Sequence, residues 1–147
     1  MIQLNNIEVQ FGQKKVLNGI TNTFNPGEII GLVAPNGTGK STLLNVLMND
    51  VVPSKGKVIF DNKYQYTNKK TEAYIRSFIS MMPDQSDLYN HLNGFDHLNI
   101  YRNMWRRTSI DPNVVVEQLH MDYYVKNKTY QYSLGMRQRP CFAMQIV

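Results

Sequence analysis

The sequence predicts an α/β fold, and three observations carry that prediction. A short, continuous apolar run, Ile29, Ile30, Leu32 and Val33, bounded by Pro26-Gly27 and Pro35, suits a strand buried on both faces. From Lys40 the period changes, with Leu43, Leu44, Val46, Leu47 and Met48 at helical spacings. Between them lies Ala34-Pro35-Asn36-Gly37-Thr38-Gly39-Lys40-Ser41-Thr42, a loop rich in small residues that joins strand to helix. Residues 28–47 are therefore the stretch around which the rest of the chain is organised.

Small residues let the backbone amides of such a loop turn inward. The helix that follows adds unpaired N–H groups and the positive end of its dipole, so a polyphosphate is the natural guest. Lys40 would reach the β- and γ-phosphates, and the Ser41 hydroxyl would coordinate Mg²⁺. The phosphate-loop pattern G-x-x-x-x-G-K-[ST] is met except at its first position, where Ala34 stands. An alanine there costs about 1–2 kcal/mol if the position needs a positive φ, and almost nothing otherwise.

The remaining elements follow in order. Ile2, Leu4, Ile7 and Val9 predict a first strand whose alternation shifts near Asn5-Asn6 and closes at Phe11-Gly12. Residues 16–24 predict a second strand, ended by Asn25-Pro26-Gly27, and the two read as an antiparallel pair. Phe11 is a core or turn aromatic by periodicity, although an exposed ring upstream of the loop could stack on a nucleobase. After the loop helix, Pro53-Ser54-Lys55-Gly56 makes a turn and residues 57–60 a short strand ended by Asp61-Asn62. That pair is a hairpin turn signal, so Asp61 is not read as a magnesium-organising aspartate.

Residues 64–71 are polar and irregular by pattern, residues 72–77 allow one helical turn, and residues 78–82 read as another buried strand stopping at Pro83. The polar stretch Asp84-Gln85-Ser86-Asp87 follows, at a strand end where open α/β sheets place ligand contacts. Asn93 caps a helix with Phe95, Leu98, Tyr101, Met104 and Trp105 as its core stripe and Arg102 and Arg106 on its other side. Asp111-Pro112 starts a further helix through Leu119. Ser133 caps a last helix beginning Leu134-Gly135-Met136, a second potential anion site that is weak taken alone. His91, His97 and His120 have no metal-ligand spacing and read as surface or packing residues.

Composition narrows the function classes. The 147 residues carry a net charge of +5, but the basic residues fall in isolated pairs, Lys14-Lys15, Lys69-Lys70 and Arg106-Arg107, so no nucleic-acid partner is expected. One cysteine, Cys141, leaves no disulfide framework within the chain and fits a reducing compartment. No apolar stretch approaches the roughly 20 residues of a membrane span.

Together these residues resemble the ATP-binding subunits of ABC transporters, along the whole chain. Phe11 matches the aromatic that stacks on adenine, and residues 34–42 match the Walker A segment. Met82-Pro83-Asp84 matches the Q-loop, with Asp84 where glutamine is commonest and Gln85 next to it. Tyr132-Ser133-Leu134-Gly135-Met136 followed by Gln138-Arg139 matches the signature motif in a form similar to drug, bacteriocin or bacitracin-type exporters. The resemblance implies an ABC-type P-loop ATPase: an antiparallel lobe plus phosphate-loop core over residues 1–92, a helical subdomain over 93–132 and the signature helix over 133–147. It implies ATP and Mg²⁺ as ligands, with Ser41 and Asp84 on the metal. It implies a head-to-tail second nucleotide-binding subunit whose Ser133, Leu134, Gly135 and Met136 face the γ-phosphate. A transmembrane permease would hold the protein on the inner face of the cell membrane, and transport would be outward.

Set against the family pattern, the sequence lacks the apolar strand ending in Asp-Glu and the switch histidine that follow the signature helix. This predicts a chain truncated before the Walker B strand, negligible hydrolysis, and an apolar edge left exposed beside residues 29–33. Pro140, past the first turn of the signature helix, should cost about 3 kcal/mol or kink it. The competing expectations are a non-transport relative acting on ribosome or DNA, and an inactive fragment that only binds nucleotide.

Overall fold

The computed structural model describes residues 1–105 and 110–147. The chain divides into two compact units, Met1–Ser80 and Met81–Val147.

The first unit is built on a three-stranded antiparallel sheet of β1 (Ile2–Phe11), β2 (Lys14–Phe24) and β3 (Lys55–Phe60), in the order β2-β1-β3. The anticipated shift of alternation is a bulge: the β1 register slips between Leu4 and Ile7, and Asn6 takes a φ of 51°. A strict period of two would put Leu4 and Ile7 on opposite faces, whereas the extra residue brings Leu4, Ile7 and Val9 into one core. Gly56 accommodates the same bulge from the neighbouring strand. Its φ is +83°, and a Cβ there would lie 2.3 Å from the Asn6 carbonyl oxygen, so no other residue fits. Helix α1 (Lys40–Leu47) contributes Leu43 and Val46 to this core, and α2 (Lys69–Arg76) contributes Ile75.

Three expectations change here. The run at residues 29–33 joins no strand pair, and Ile29 and Val33 are 103% and 94% exposed. An apolar strand buries its faces only when neighbouring strands supply ladder partners and covering layers, and in the described sheet β1 pairs with β2 and β3 alone. Residues 78–82 likewise form no strand: Phe78 packs edge-on against Phe60 and Tyr74, while Met81 and Met82 are exposed. Finally, α2 starts within the stretch expected to be irregular. Asn68 accepts the amides of Lys70 and Thr71, and the Thr71 hydroxyl accepts the amide of Asn68, a capping box with threonine in the reciprocal position.

Asp61 and Asn62 form the expected turn, with φ values of 48° and 58°, and the Asp61 carboxylate pairs with the N-terminal amine at 2.8 Å.

The second unit contains α3 (Gly94–Trp105), α4 (Pro112–Gln118) and α5 (Leu134–Ala143), with single 3-10 turns at Gln85–Asp87 and Thr129–Gln131. Its core includes Leu88, Leu98, Val115, Val116, Tyr124 and Met144. The expected caps are present. The Asn93 side chain accepts the amide of Asp96, while the Asp96 carboxylate accepts that of Asn93, and Asp111 accepts the amide of Asn113. Along α3, Leu98 is fully buried and Phe95 and Tyr101 pack on the core, but Met104 is exposed. The Trp105 side chain, Arg106 and Arg107 lie outside the described residues.

His97 is 3% exposed: one ring nitrogen accepts the Tyr89 amide and the other donates to the Asn93 carbonyl, a packing role. The Tyr132 hydroxyl donates to the Val125 carbonyl and accepts the Gly94 amide, and burial pushes its pKa up to about 12. Pro140 does not end α5, which runs on to Ala143 with Pro140 itself buried. Among the described residues no helix is long and apolar enough to cross a membrane.

Candidate functional site

The phosphate loop folds as a set of mutually bonded small residues. Gly39 adopts φ 99° and begins α1, with the Leu43 amide donating to its carbonyl at 2.9 Å. No side chain caps this helix, so the first-turn amides are left for a ligand. A Cβ on Gly39 would come within 3.0 Å of both Val16 and Leu17, which means the loop is seated directly on β2. The Thr38 hydroxyl donates to the Pro35 carbonyl at 2.7 Å. Ala34 is not in the positive-φ region, so replacing the usual first glycine adds no left-handed strain.

The Lys40 ammonium spans the loop, donating to the carbonyls of Ala34 at 2.6 Å and Pro35 at 2.8 Å. An ammonium has three donors, so one remains for an anion at the same point. The loop and the β1–β2 hairpin wall a cavity of about 420 Å³, into which Asn36, Gly37, Gly39, Lys40, Ser41 and Thr42 face. Phe11, 55% exposed, lies in the same wall. The structure thus gathers the adenine-stacking candidate, the lysine and the metal-ligand candidate Ser41 at one cavity. Ala34, Pro35 and Thr38 brace it from behind. The hydroxyl of Ser41 is a hard oxygen donor in the first helical turn, which suits Mg²⁺ held mainly by substrate phosphates.

Lys14 and Val16 also line this cavity, and the sequence reading missed both. The signal was the hairpin register, in which Lys14 stands directly opposite Phe11. Lys15, its neighbour, points to the other face and pairs with Glu8 at 3.1 Å, holding that carboxyl below its usual range.

The other candidate residues belong to the second unit. Ser133 caps α5, its hydroxyl accepting the Met136 amide at 3.3 Å. Leu134 is exposed and Gly135 has open space where a side chain would be. Ser133, Gly135 and Met136 line a cavity of about 530 Å³ together with Tyr123, Arg139 and Phe142. Asp84 is already engaged: its carboxylate accepts the Ser86 amide at 2.8 Å and hydroxyl at 2.6 Å, bonds that hold it below the usual carboxylate range. Gln85 accepts Arg137 Nε on its backbone carbonyl, and Arg137 also donates to Asn90 and to the Thr129 carbonyl, tying this turn to α5. Among the described residues no group of three or more His, Cys, Asp and Glu side chains is placed to hold a metal.

A cavity of about 420 Å³ at a glycine-rich loop leading into a helix beside an antiparallel sheet, and a serine-capped helix start in a helical unit, are the features that the ATP-binding cassette class predicts. The family model for ABC transporters matches residues 17–147, and the chain belongs to that family. It is 28% identical over 148 residues to the uncharacterized ABC transporter ATP-binding protein YdbJ of Bacillus subtilis (strain 168), covering all of this chain and 47% of the relative. It is 25% identical over 147 residues to the lantibiotic transport ATP-binding protein SrtF of Streptococcus pyogenes, again over the whole chain and 62% of the relative. The chain therefore spans about half to three-fifths of the length of these curated relatives. In fold it is similar to a solved ATP-binding subunit of an ABC transporter, with a TM-score of 0.81 at 18% identity over 97% of this chain and 60% of that one. Members of the family bind ATP, generally with Mg²⁺.

Proposed function

We propose that this chain binds MgATP as the nucleotide-binding part of a bacterial ABC transporter subunit. The observation that carries the reading is the cavity shared by Lys40, the uncapped start of α1 and Phe11, which offers a cation and free amides at one end and an exposed ring at the other. Lys40 and the amides around Ser41 hold the β- and γ-phosphates, and Phe11 stacks on the base. The Ser41 hydroxyl would hold Mg²⁺, which would supply charge neutralisation to the bound phosphates. A second subunit, docked head to tail, presents Ser133, Leu134, Gly135 and Met136 to the γ-phosphate. Residues 93–132 serve as the helical subdomain that meets a transmembrane permease, which holds the subunit at the inner face of the membrane. The Tyr-Ser-x-Gly-Met signature and the likeness to a lantibiotic transport protein favour export.

Among the described residues, the cavity wall of the phosphate loop includes no carboxylate to polarise an attacking water, and Asp84 is committed to capping. We expect negligible ATP turnover by these residues alone. Calorimetry with MgATP tests the binding: an affinity in the wild type that falls by about 10-fold or more in Lys40→Ala supports the site. Equal affinity in both removes it, and measurable turnover abolished by Lys40→Ala overturns the expectation about hydrolysis.

A further inference from the structure

We propose that Lys14 is a second cation of the nucleotide site, contacting the α-phosphate; this rests on the nucleotide reading above. Directly opposed residues of an antiparallel hairpin project to the same face with Cβ atoms about 5 Å apart. Lys14 opposes Phe11 across the two-residue turn Gly12-Gln13, so ammonium and ring share one side of the cavity. The register slips between Leu17 and Lys15, leaving Val16 as the extra residue of a bulge, and Val16 lines the same cavity as Lys14 and packs against Gly39.

β2 therefore works as a ruler. Val16 marks the phosphate loop, and Lys14 stands two residues further along the strand, a separation of at most about 7 Å at the usual rise. The terminal phosphates belong at the Lys40 end and the base at Phe11, so the group within a lysine's reach of Lys14 is the phosphate nearest the sugar. Among the described residues Lys14 forms no ion pair, whereas Lys15 and Lys55 are both spent on Glu8. The ammonium of Lys14 is thus free to meet an anion in the cavity it lines. The contact distinguishes nucleotides from nucleosides and is indifferent to the γ-phosphate, which leaves discrimination of ATP from ADP to Lys40.

Calorimetric titrations of ATP, ADP, AMP and adenosine against the wild type, Lys14→Gln and Lys40→Ala test this. Lys14→Gln should weaken ATP, ADP and AMP by a common factor of about fivefold, the scale of a partly exposed charge contact. Adenosine should be unaffected, and the factor should shrink as salt is raised. Unchanged ATP affinity, a loss confined to ATP, or an equal loss for adenosine would each overturn the assignment while leaving the loop site standing, provided Lys40→Ala still weakens ATP binding by about 10-fold or more. A wild type that takes up no ATP defeats both readings. Lys14 is exposed, so coincident thermal melts of variant and wild type should confirm that folding is untouched.

Discussion

Two helices of this chain begin where an anion is expected, and they begin differently. α1 starts at a left-handed Gly39 with no side-chain cap and carries Lys40 as its first residue. α5 starts at an extended Ser133 whose own hydroxyl satisfies the Met136 amide, with no acidic or basic residue closing its first turn other than the Arg137 that turns back toward Gln85. The first leaves its amide donors free and adds a full positive charge. The second has already spent one donor on itself. A helix dipole alone contributes about 0.3–1 kcal/mol at an exposed end, so only the α1 start has the means to hold a phosphate unaided. The α5 start suits a group that something else has already bound.

The contrast can be broken most sharply at Lys40. Lys40→Ala should lower MgATP affinity by about 10- to 100-fold, the scale of a charge-assisted contact, without a comparable loss of stability. Retained affinity by calorimetry would mean that the two helix starts are equivalent after all.

The two glycines sharpen it next. Gly39→Ala places a Cβ against Val16 and Leu17 at a positive φ and should cost about 1–2 kcal/mol in urea-denaturation stability while weakening ATP binding. Gly135→Ala meets nothing and should leave stability level or raise it by up to about 1 kcal/mol through helix propensity. Equal effects at the two positions would refute the distinction. Ser133→Ala should destabilise by about 1 kcal/mol through the lost cap, read from the denaturation midpoint, while leaving ATP binding by the isolated chain unchanged.

The last effect, visible only at alkaline pH, concerns the residue before that cap. The Tyr132 hydroxyl has its ordinary pKa of 10.0 raised to about 12 in the fold, chiefly by burial. An acid held neutral by the fold contributes stability that is complete below pH 10 and is lost between about pH 10 and 12, as the unfolded chain sheds its proton first. Urea midpoints measured over that window should fall more steeply for the wild type than for Tyr132→Phe. Parallel slopes would show that the hydroxyl is not protected.

Much of this arrangement was legible locally. The bulge at Asn5-Asn6, the turn at Asp61-Asn62 and the caps at Asn93, Asp111 and Ser133 are each decided by one or two residues acting on the nearest backbone, so short-range chemistry sufficed. The cap of α2 is equally local but uses Thr71 in place of the usual Glu or Gln, so it lacks the familiar capping-box pattern. The runs at residues 29–33 and 78–82 were misjudged for a different reason: apolar composition records what a segment would bury, whereas strand pairing depends on which other segments lie beside it.

The sequence by itself determined the phosphate loop and its chemistry, because a glycine that can take φ 99°, a lysine one residue later and a hydroxyl after that act through bonds within a few residues. Only the tertiary structure decided that the β1–β2 hairpin, with Phe11 and Lys14, shares the wall of the cavity that the phosphate loop lines. Which side chains converge on one point depends on strand register and on the packing of Gly39 against Val16, contacts between residues distant in the chain that no local pattern encodes.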